Sequence, residues 1–115
     1  MTENGRIAHA YYTAMGLKDL TTLAGYLHPN VQLAGPLSKL DGKEAILASV
    51  QQFMNVFNSL TIPACFGSED QAMLTYELNF PSPIGTFRSA ALLTLQDRLI
   101  TRIELFFDAR PFEKM

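Results

Sequence analysis

Little in this sequence points to a metal, a disulfide or a strongly charged partner. It holds one cysteine and two histidines, and its formal net charge is −2. A lone thiol cannot close an internal disulfide, and no Cys–His spacing suits a metal site. So small a net charge gives no electrostatic reason to expect nucleic acid or an anionic membrane surface as partner. No window approaches the ~18 consecutive apolar residues of a membrane span. The opening residues, MTENGRIAHAYY, lack the basic segment and apolar run of a signal peptide. Internal repeats, linkers and low-complexity segments are missing as well. These absences describe a soluble protein of a reducing compartment such as the cytoplasm, with no cofactor implied.

What is present is enough for a core. Hydrophobic residues make up 48% of the 115 positions and charged residues 17%, the composition of a globular chain. That length accommodates one domain, residues 1–115, and should bury roughly two thirds of its unfolded surface without staples.

Helical periodicity governs the first third of the chain. Ile7, Tyr11, Ala14 and Met15 share one helix face. Asp19 is a candidate N-cap for a short second helix with Leu20, Leu23, Ala24 and Leu27 inward, ended by the HPN at 28–30. The VQLAG at 31–35 alternates like a strand, and PLSKLDG loops back. Asp41 and Glu44 have capping-box spacing before a third helix, whose stripe is Ile46, Val50, Phe53, Met54 and Phe57 and which runs to about Asn58.

From Leu60 the period changes to two. Pro63 in LTIPACF has no N–H to give, which places that strand at an edge or a bulge. Cys65 shares the parity of Thr61 and Pro63, opposite Ile62, Ala64 and Phe66, and is expected to be an inert thiol. AMLTYELNF puts Leu74, Tyr76, Leu78 and Phe80 on one face. TFRSAALLTL and LITRIELFF then form a hairpin. With Gln96, Asp97 and Arg98 as a three-residue loop, Leu95 faces Leu99, Leu93 faces Thr101, Ala91 faces Ile103, Ser89 faces Leu105 and Phe87 faces Phe107. A slip by one residue would bury Arg88, Arg102 and Glu104, at several kcal/mol for each unpaired charge. The apolar row therefore faces the helices. The expected fold is α+β: a cone-shaped barrel of three N-terminal helices packed against a strongly curved, mainly antiparallel sheet.

This order of elements, opened by YYTAMGLKDL and closed by RIELFFDARPF, resembles the nuclear transport factor two-like superfamily, and within it the SnoaL-like and ketosteroid-isomerase-like branch. The motifs that carry the likeness are KDL before YLHPNVQL, DGKEAI at the third helix and the terminal FFD. The resemblance implies a cone with a pocket between helices and sheet, and often a dimer. Function stays open, because this fold serves isomerases, hydrolases, cyclases, dehydratases and binding modules. The isomerases' oxyanion-stabilising tyrosine corresponds to Tyr11. Their general base falls at Gly35, and their protonated acid at Ala91 or Leu93, none of which can act. The aspartate of related epoxide hydrolases falls at Leu105.

Candidate site residues follow from both readings. Asp108 shares the parity of Arg102 and Glu104, which marks it as a charged strand end first. A bulge after Phe107 would be needed to swing it over a pocket as a base. Tyr11 and Tyr76 are the best polar groups for an interior, each able to hydrogen-bond a carbonyl or hydroxyl. His9 points about 200° away from Tyr11 on the helix, and His28 ends a helix, so both read as structural. No Ser–His–Asp arrangement or carboxylate cluster is recognisable. The expected lining is Tyr11, Leu33, Phe53, Phe57, Tyr76, Leu78, Phe80, Ala91, Leu93, Ile103, Leu105 and Phe107, binding a small hydrophobic molecule without assured catalysis. An isomerase, cyclase or dehydratase using Asp108 or Glu104 with Tyr11 is the alternative. The other sheet face carries Leu92, Ile100 and Phe106 bordered by Arg88, Arg102 and Glu104, a surface suited to a two-fold dimer or to another protein partner.

Overall fold

The computed structural model describes residues 1–113. The elements are α1 (Glu3–Gly16), α2 (Leu20–Ala24), β1 (Leu27–Ala34), β2 (Lys39–Asp41), α3 (Lys43–Met54), β3 (Ser59–Gly67), β4 (Gln71–Asn79), β5 (Thr86–Gln96), β6 (Leu99–Phe106) and α4 (Arg110–Glu113). All six strands form one curved, open sheet in the order β2-β1-β6-β5-β4-β3. The fold is thus the expected α+β cone, although its sheet does not close into a barrel. Only the β1–β6 pair is parallel. Among the described residues, no helix is long and apolar enough to cross a membrane.

The helices begin where their end groups are satisfied. Thr2 Oγ1 accepts from Gly5 N at 3.0 Å and Asp19 Oδ1 from Thr22 N at 3.1 Å, so orphan amides of α1 and α2 are capped. At α3 the capping expectation for Asp41 is overturned. Asp41 closes β2 against Gln32, and the N-cap is Gly42 at φ +94°, a conformation that disfavours any side chain. Its own N–H bonds Val31 O at 2.8 Å, which ties the start of α3 to the sheet. The same helix stops at Met54, earlier than Asn58, because Asn58 N pairs with Asn79 O instead. Phe57 is then buried from outside the helix.

Two β-bulges correct the strand phases read from sequence. In β3 the register shifts between Thr61 and Ala64, around Pro63, on an edge strand. Past the shift Cys65 pairs with buried Leu74, while Phe66 sits beside Met73 and is 72% exposed. The Cys65 thiol donates to Gly5 O at 3.4 Å, and burial pushes its pKa up, away from reactivity. The β5–β6 turn is tighter than the expected three residues. Asp97 and Arg98 lie at φ 51° and 68°, a two-residue turn, so Leu95 pairs with Ile100 and Gln96 with Leu99. Thr101 is then the extra residue, and beyond it Leu93 pairs with Ile103 and Ala91 with Leu105. Ile100 is consequently buried rather than on the outer face, while Arg102 stays outside.

The helices meet the sheet at its margins. α1 packs on β3 and β4, and α3 on β1 and β2, with α2 bridging α1 and α3. The middle strands β5 and β6 are left to curve beneath a span that no helix backbone fills. At the β3 margin the approach is very close: a methyl at Gly67 would sit 2.6 Å from Gly5 N and against Thr2 Oγ1.

Gly67→Ala is expected to destabilise the fold by about 1–3 kcal/mol through that backbone collision. Gly25→Ala, which meets only an ordinary 3.4 Å contact with Thr22 O, should fall within about 0.5 kcal/mol of wild type in urea denaturation.

Candidate functional site

The span between helices and sheet encloses a cavity of about 630 Å³. Its deep wall comes from α1 (Tyr11, Tyr12, Met15), β4 (Tyr76, Leu78), β5 (Phe87, Ser89) and β6 (Ile103, Leu105). Alternation sends Tyr76 and Leu78 inward on β4, and Phe87 and Ser89 inward on β5. Leu33 of β1 and Val50 and Phe53 of α3 close the side. Exposed Ser38, Ser49, Asn55 and Ser82 form a polar rim at the mouth.

Three tyrosines meet at the buried end. Tyr12 stacks on Tyr76 with centroids 4.6 Å apart and ring planes 26° apart, and Tyr11 meets Tyr12 edge-on at 5.0 Å. Tyr76 and Ser89 are direct cross-strand partners. Burial pushes all three phenols up from their ordinary value. The phenol of Tyr76 adds to the effect on Tyr11 and Tyr12, while hydrogen bonds with Ser89 and Tyr12 oppose it at Tyr76. All three are therefore neutral donors and acceptors at physiological pH, and none can serve there as a base.

Of the residues expected at a ligand, Tyr11, Leu33, Phe53, Tyr76, Leu78, Phe80, Ile103, Leu105 and Phe107 lie on this wall. Phe57, Ala91 and Leu93 do not. Ala91 and Leu93 continue the same inward row past the end of the cavity into solid core, both 0% exposed. Phe57 lies beneath Lys18, whose Nζ sits 5.0 Å from the ring centroid and donates to Phe57 O at 2.7 Å.

Neither candidate carboxylate reaches the cavity. Glu104 lies on the outer sheet face, its Oε1 2.7 Å from Arg102 Nε, as strand parity requires. Asp108 is exposed and forked onto Arg110, with Nε at 2.9 Å and Nη2 at 2.7 Å, and it also accepts from Arg110 N at 3.0 Å. Those hydrogen bonds hold its carboxyl down at about 2. The bulge that would turn Asp108 inward is absent, so a role for either group as base against Tyr11 has no geometric support. His9 and His28 are likewise off the wall. His9 Nδ1 lies 3.3 Å from Thr13 Oγ1, and His28 Nδ1 accepts from Asn30 N.

Sequence reasoning missed Tyr12, Met15, Val50, Phe87, Ser89 and Phe112 among the wall residues. Tyr12 lies about 100° round the helix from Tyr11, and both are buried because α1 fills a corner between sheet and α3. Ser89 has the inward parity of Phe87 and Ala91 on β5. Phe112 carried no periodic signal. It sits in α4, which Asp108 starts, and it meets Phe87 at 4.9 Å, Phe80 at 5.6 Å and Phe107 at 6.0 Å. Phe112 thus closes an aromatic cluster on the wall two residues beyond the Asp108–Arg110 fork.

Comparisons with known proteins bear on the family and the fold. Residues 8–103 match the family model of the SnoaL-like domain. A solved structure from Kribbella flavida is 26% identical, superposes with a TM-score of 0.92, and aligns over 99% of this chain and 93% of its own. An NTF2-like protein of unknown function from Cytophaga hutchinsonii is 20% identical, with a TM-score of 0.82 over 93% and 91%. A putative ketosteroid isomerase from Kribbella flavida is 16% identical, with a TM-score of 0.79 over 92% and 78%. No curated protein matches the chain.

In a Phe112→Trp background, Asp108→Asn should red-shift the tryptophan emission at pH 7 and raise its quenching by acrylamide. With Asp108 intact, the same change should come only in acid. A carboxylate held below its unfolded ~3.9 stabilises the contact above that pH and loses it as pH falls through about 2. Identical emission with and without the Asp108 carboxylate at pH 7 would show that the fork onto Arg110 does not hold residue 112 in its cluster.

Proposed function

We propose that this chain, which belongs to the SnoaL-like domain family, binds a compact and largely apolar small molecule in the cavity between its helices and sheet. The observation that carries the reading is the wall itself: aromatic and aliphatic side chains with a few hydroxyls, and no acid, base or histidine among the described residues. A volume of about 630 Å³ lies within the range of small-molecule sites, roughly 300–1,000 Å³. The fold is equally compatible with catalysis. An isomerase or cyclase, however, needs a group that takes a proton near neutrality, and the wall offers only phenols held above that range. Binding is the better supported reading. Cys65, a half-buried free thiol, suits a reducing compartment such as the cytoplasm.

A homodimer through the outer sheet face is the second part of the proposal. Phe66, Met73 and Phe106 are 72%, 43% and 50% exposed there. Cross-strand pairing sets Phe66 beside Met73, Met73 beside Leu92 and Phe106 beside Ala90. The ion pairs Glu77–Arg88 and Arg102–Glu104 supply both signs of charge around these residues. Such a face complements itself across a two-fold axis, which favours a second copy over a charged partner.

The neutral dye N-phenyl-1-naphthylamine should bind wild type at one molecule per chain with enhanced fluorescence. Leu105→Trp should weaken it at least tenfold while leaving the far-UV spectrum unchanged. Absence of saturable binding, or a variant that binds as well as wild type, would refute the ligand reading. For the interface, sedimentation equilibrium should give a dimer for wild type and a monomer for Phe106→Asp. A wild-type monomer at tens of micromolar would contradict it.

A further inference from the structure

Asparagine is a thermolabile residue, and it is most exposed to attack by its own backbone when glycine follows it. Of the asparagines at 4, 30, 55, 58 and 79, only Asn4 precedes a glycine, and it stands in the first turn of α1. Gly5 has no Cβ to shield its backbone nitrogen, so that nitrogen reaches the Asn4 carboxamide once the chain leaves helical geometry. We propose that Asn4 is a self-modification site: opening of the first turn of α1 lets it deamidate, and the acid formed unfastens α1 from the β3–β4 turn.

In the closed turn both reacting groups are engaged. Gly5 N donates to Thr2 Oγ1 at 3.0 Å, the N-cap bond of α1. Asn4 Nδ2 donates to Ser68 O at 3.0 Å and to Glu69 O at 2.9 Å, which occupies both of its protons on the β3–β4 turn. Gly5 is buried, its carbonyl accepts from the Cys65 thiol at 3.4 Å, and Gly67 lies so near that a methyl there would collide with Gly5 N. Attack therefore waits for the turn to open, and its rate follows the population of the open state.

In that open state Gly5 N gives its proton to water and forms a bond to Asn4 Cγ. The Cγ–Nδ2 bond breaks and the amide leaves as ammonia, which closes a succinimide ring. Water then opens the ring at either carbonyl, leaving an aspartyl residue or its isomer in which the chain runs through the side-chain carbon. Water is the only co-reactant, and no electron is gained or lost.

The product cannot remake the contacts that held the amide. A carboxylate has no proton to give, so Ser68 O and Glu69 O lose their donor and face an anion. Glu3 precedes the new charge, and Glu69 and Asp70 lie in the turn, while Arg98 is already paired with Glu3 at 2.9 Å. An anion in the first turn gains from the helix dipole, but this is the small gain of one screened charge. Two lost hydrogen bonds and two opposed carbonyl dipoles outweigh it. The isomer also lengthens the backbone by one carbon, which displaces the 2.9 Å bond from Arg6 N to Thr2 O.

The test incubates the intact protein at pH 8 and 37 °C and follows every asparagine by peptide mass mapping. Asn4 should convert ahead of Asn58, which serine follows, and several-fold more slowly than in the same full chain unfolded in urea. Thr2→Ala, which removes the cap, should speed conversion about fivefold. Gly5→Ala covers the nitrogen, meets only the side chains of Met1 and Thr2, and should slow conversion about tenfold or more. In Asn4→Asp, hydrogen exchange at the Arg6 amide should rise about tenfold while the amides of α3 keep their wild-type rates. Equal conversion of Asn4 in the folded and unfolded chain, no effect of Thr2→Ala, or conversion no faster than that of Asn58 would overturn the site. Wild-type exchange at Arg6 in Asn4→Asp would overturn the unfastening.

Discussion

The inward row of β5 and β6 has to be covered, and the helices cover it from the sides. Phe87, Ala91, Leu93 and Leu95 on β5 meet Ile100 and Ile103 on β6 as one buried surface. α1 reaches this surface over β3 and β4, and α3 over β1 and β2. Where the cover is complete, around Ala91 and Leu93, the interior is solid. Where the sheet curves away, the same row becomes the wall of a cavity. One pattern of side chains thus makes both the core and the candidate site, and no specialised loop is needed to form the pocket.

Electrostatics follows from the same alternation. A residue on β5 or β6 with the parity of Arg88, Arg102 or Glu104 is kept outside, because the opposite choice would strip charges of water. From β5 and β6 the cavity therefore inherits hydrocarbon and one serine, to which α1 and β4 add tyrosines and the mouth its polar rim. On the proposed binding function, shape and ring contacts supply affinity and the hydroxyls supply direction. Asp108, the most conspicuous acid of the closing strand, serves architecture instead. Its carboxylate is forked onto Arg110, and two residues further on Phe112 packs with Phe80, Phe87 and Phe107.

Much of this was legible in the sequence, for reasons that can be stated residue by residue. Period-two patterning put Tyr76, Leu78, Ile103 and Leu105 inward, because an alternating strand has only two faces and burial chooses one. The bulges were not legible. Thr101 and the Pro63 region each insert one residue, and the shift becomes visible only when Ile100 and Phe66 exchange faces. Local chemistry also misled at α3. Asp41 has the composition of a cap, yet pairing of β2 with β1 holds it in a strand and leaves Gly42 to turn the chain. At the site, Phe57 and Phe53 read alike as stripe residues, and only the early end of α3 at Met54 separates core from wall. Ser89 and Phe112 depend on contacts far along the chain, which no local pattern records.

The central claim is that helices and sheet enclose a dry, uncharged space lined by the inward row. Xenon binds such apolar cavities without help from polar groups. Crystals pressurised with xenon should show it between Tyr76, Phe80, Ile103 and Leu105. A chain of ordered waters through that volume, or side chains packed across it with no xenon bound, would contradict the account.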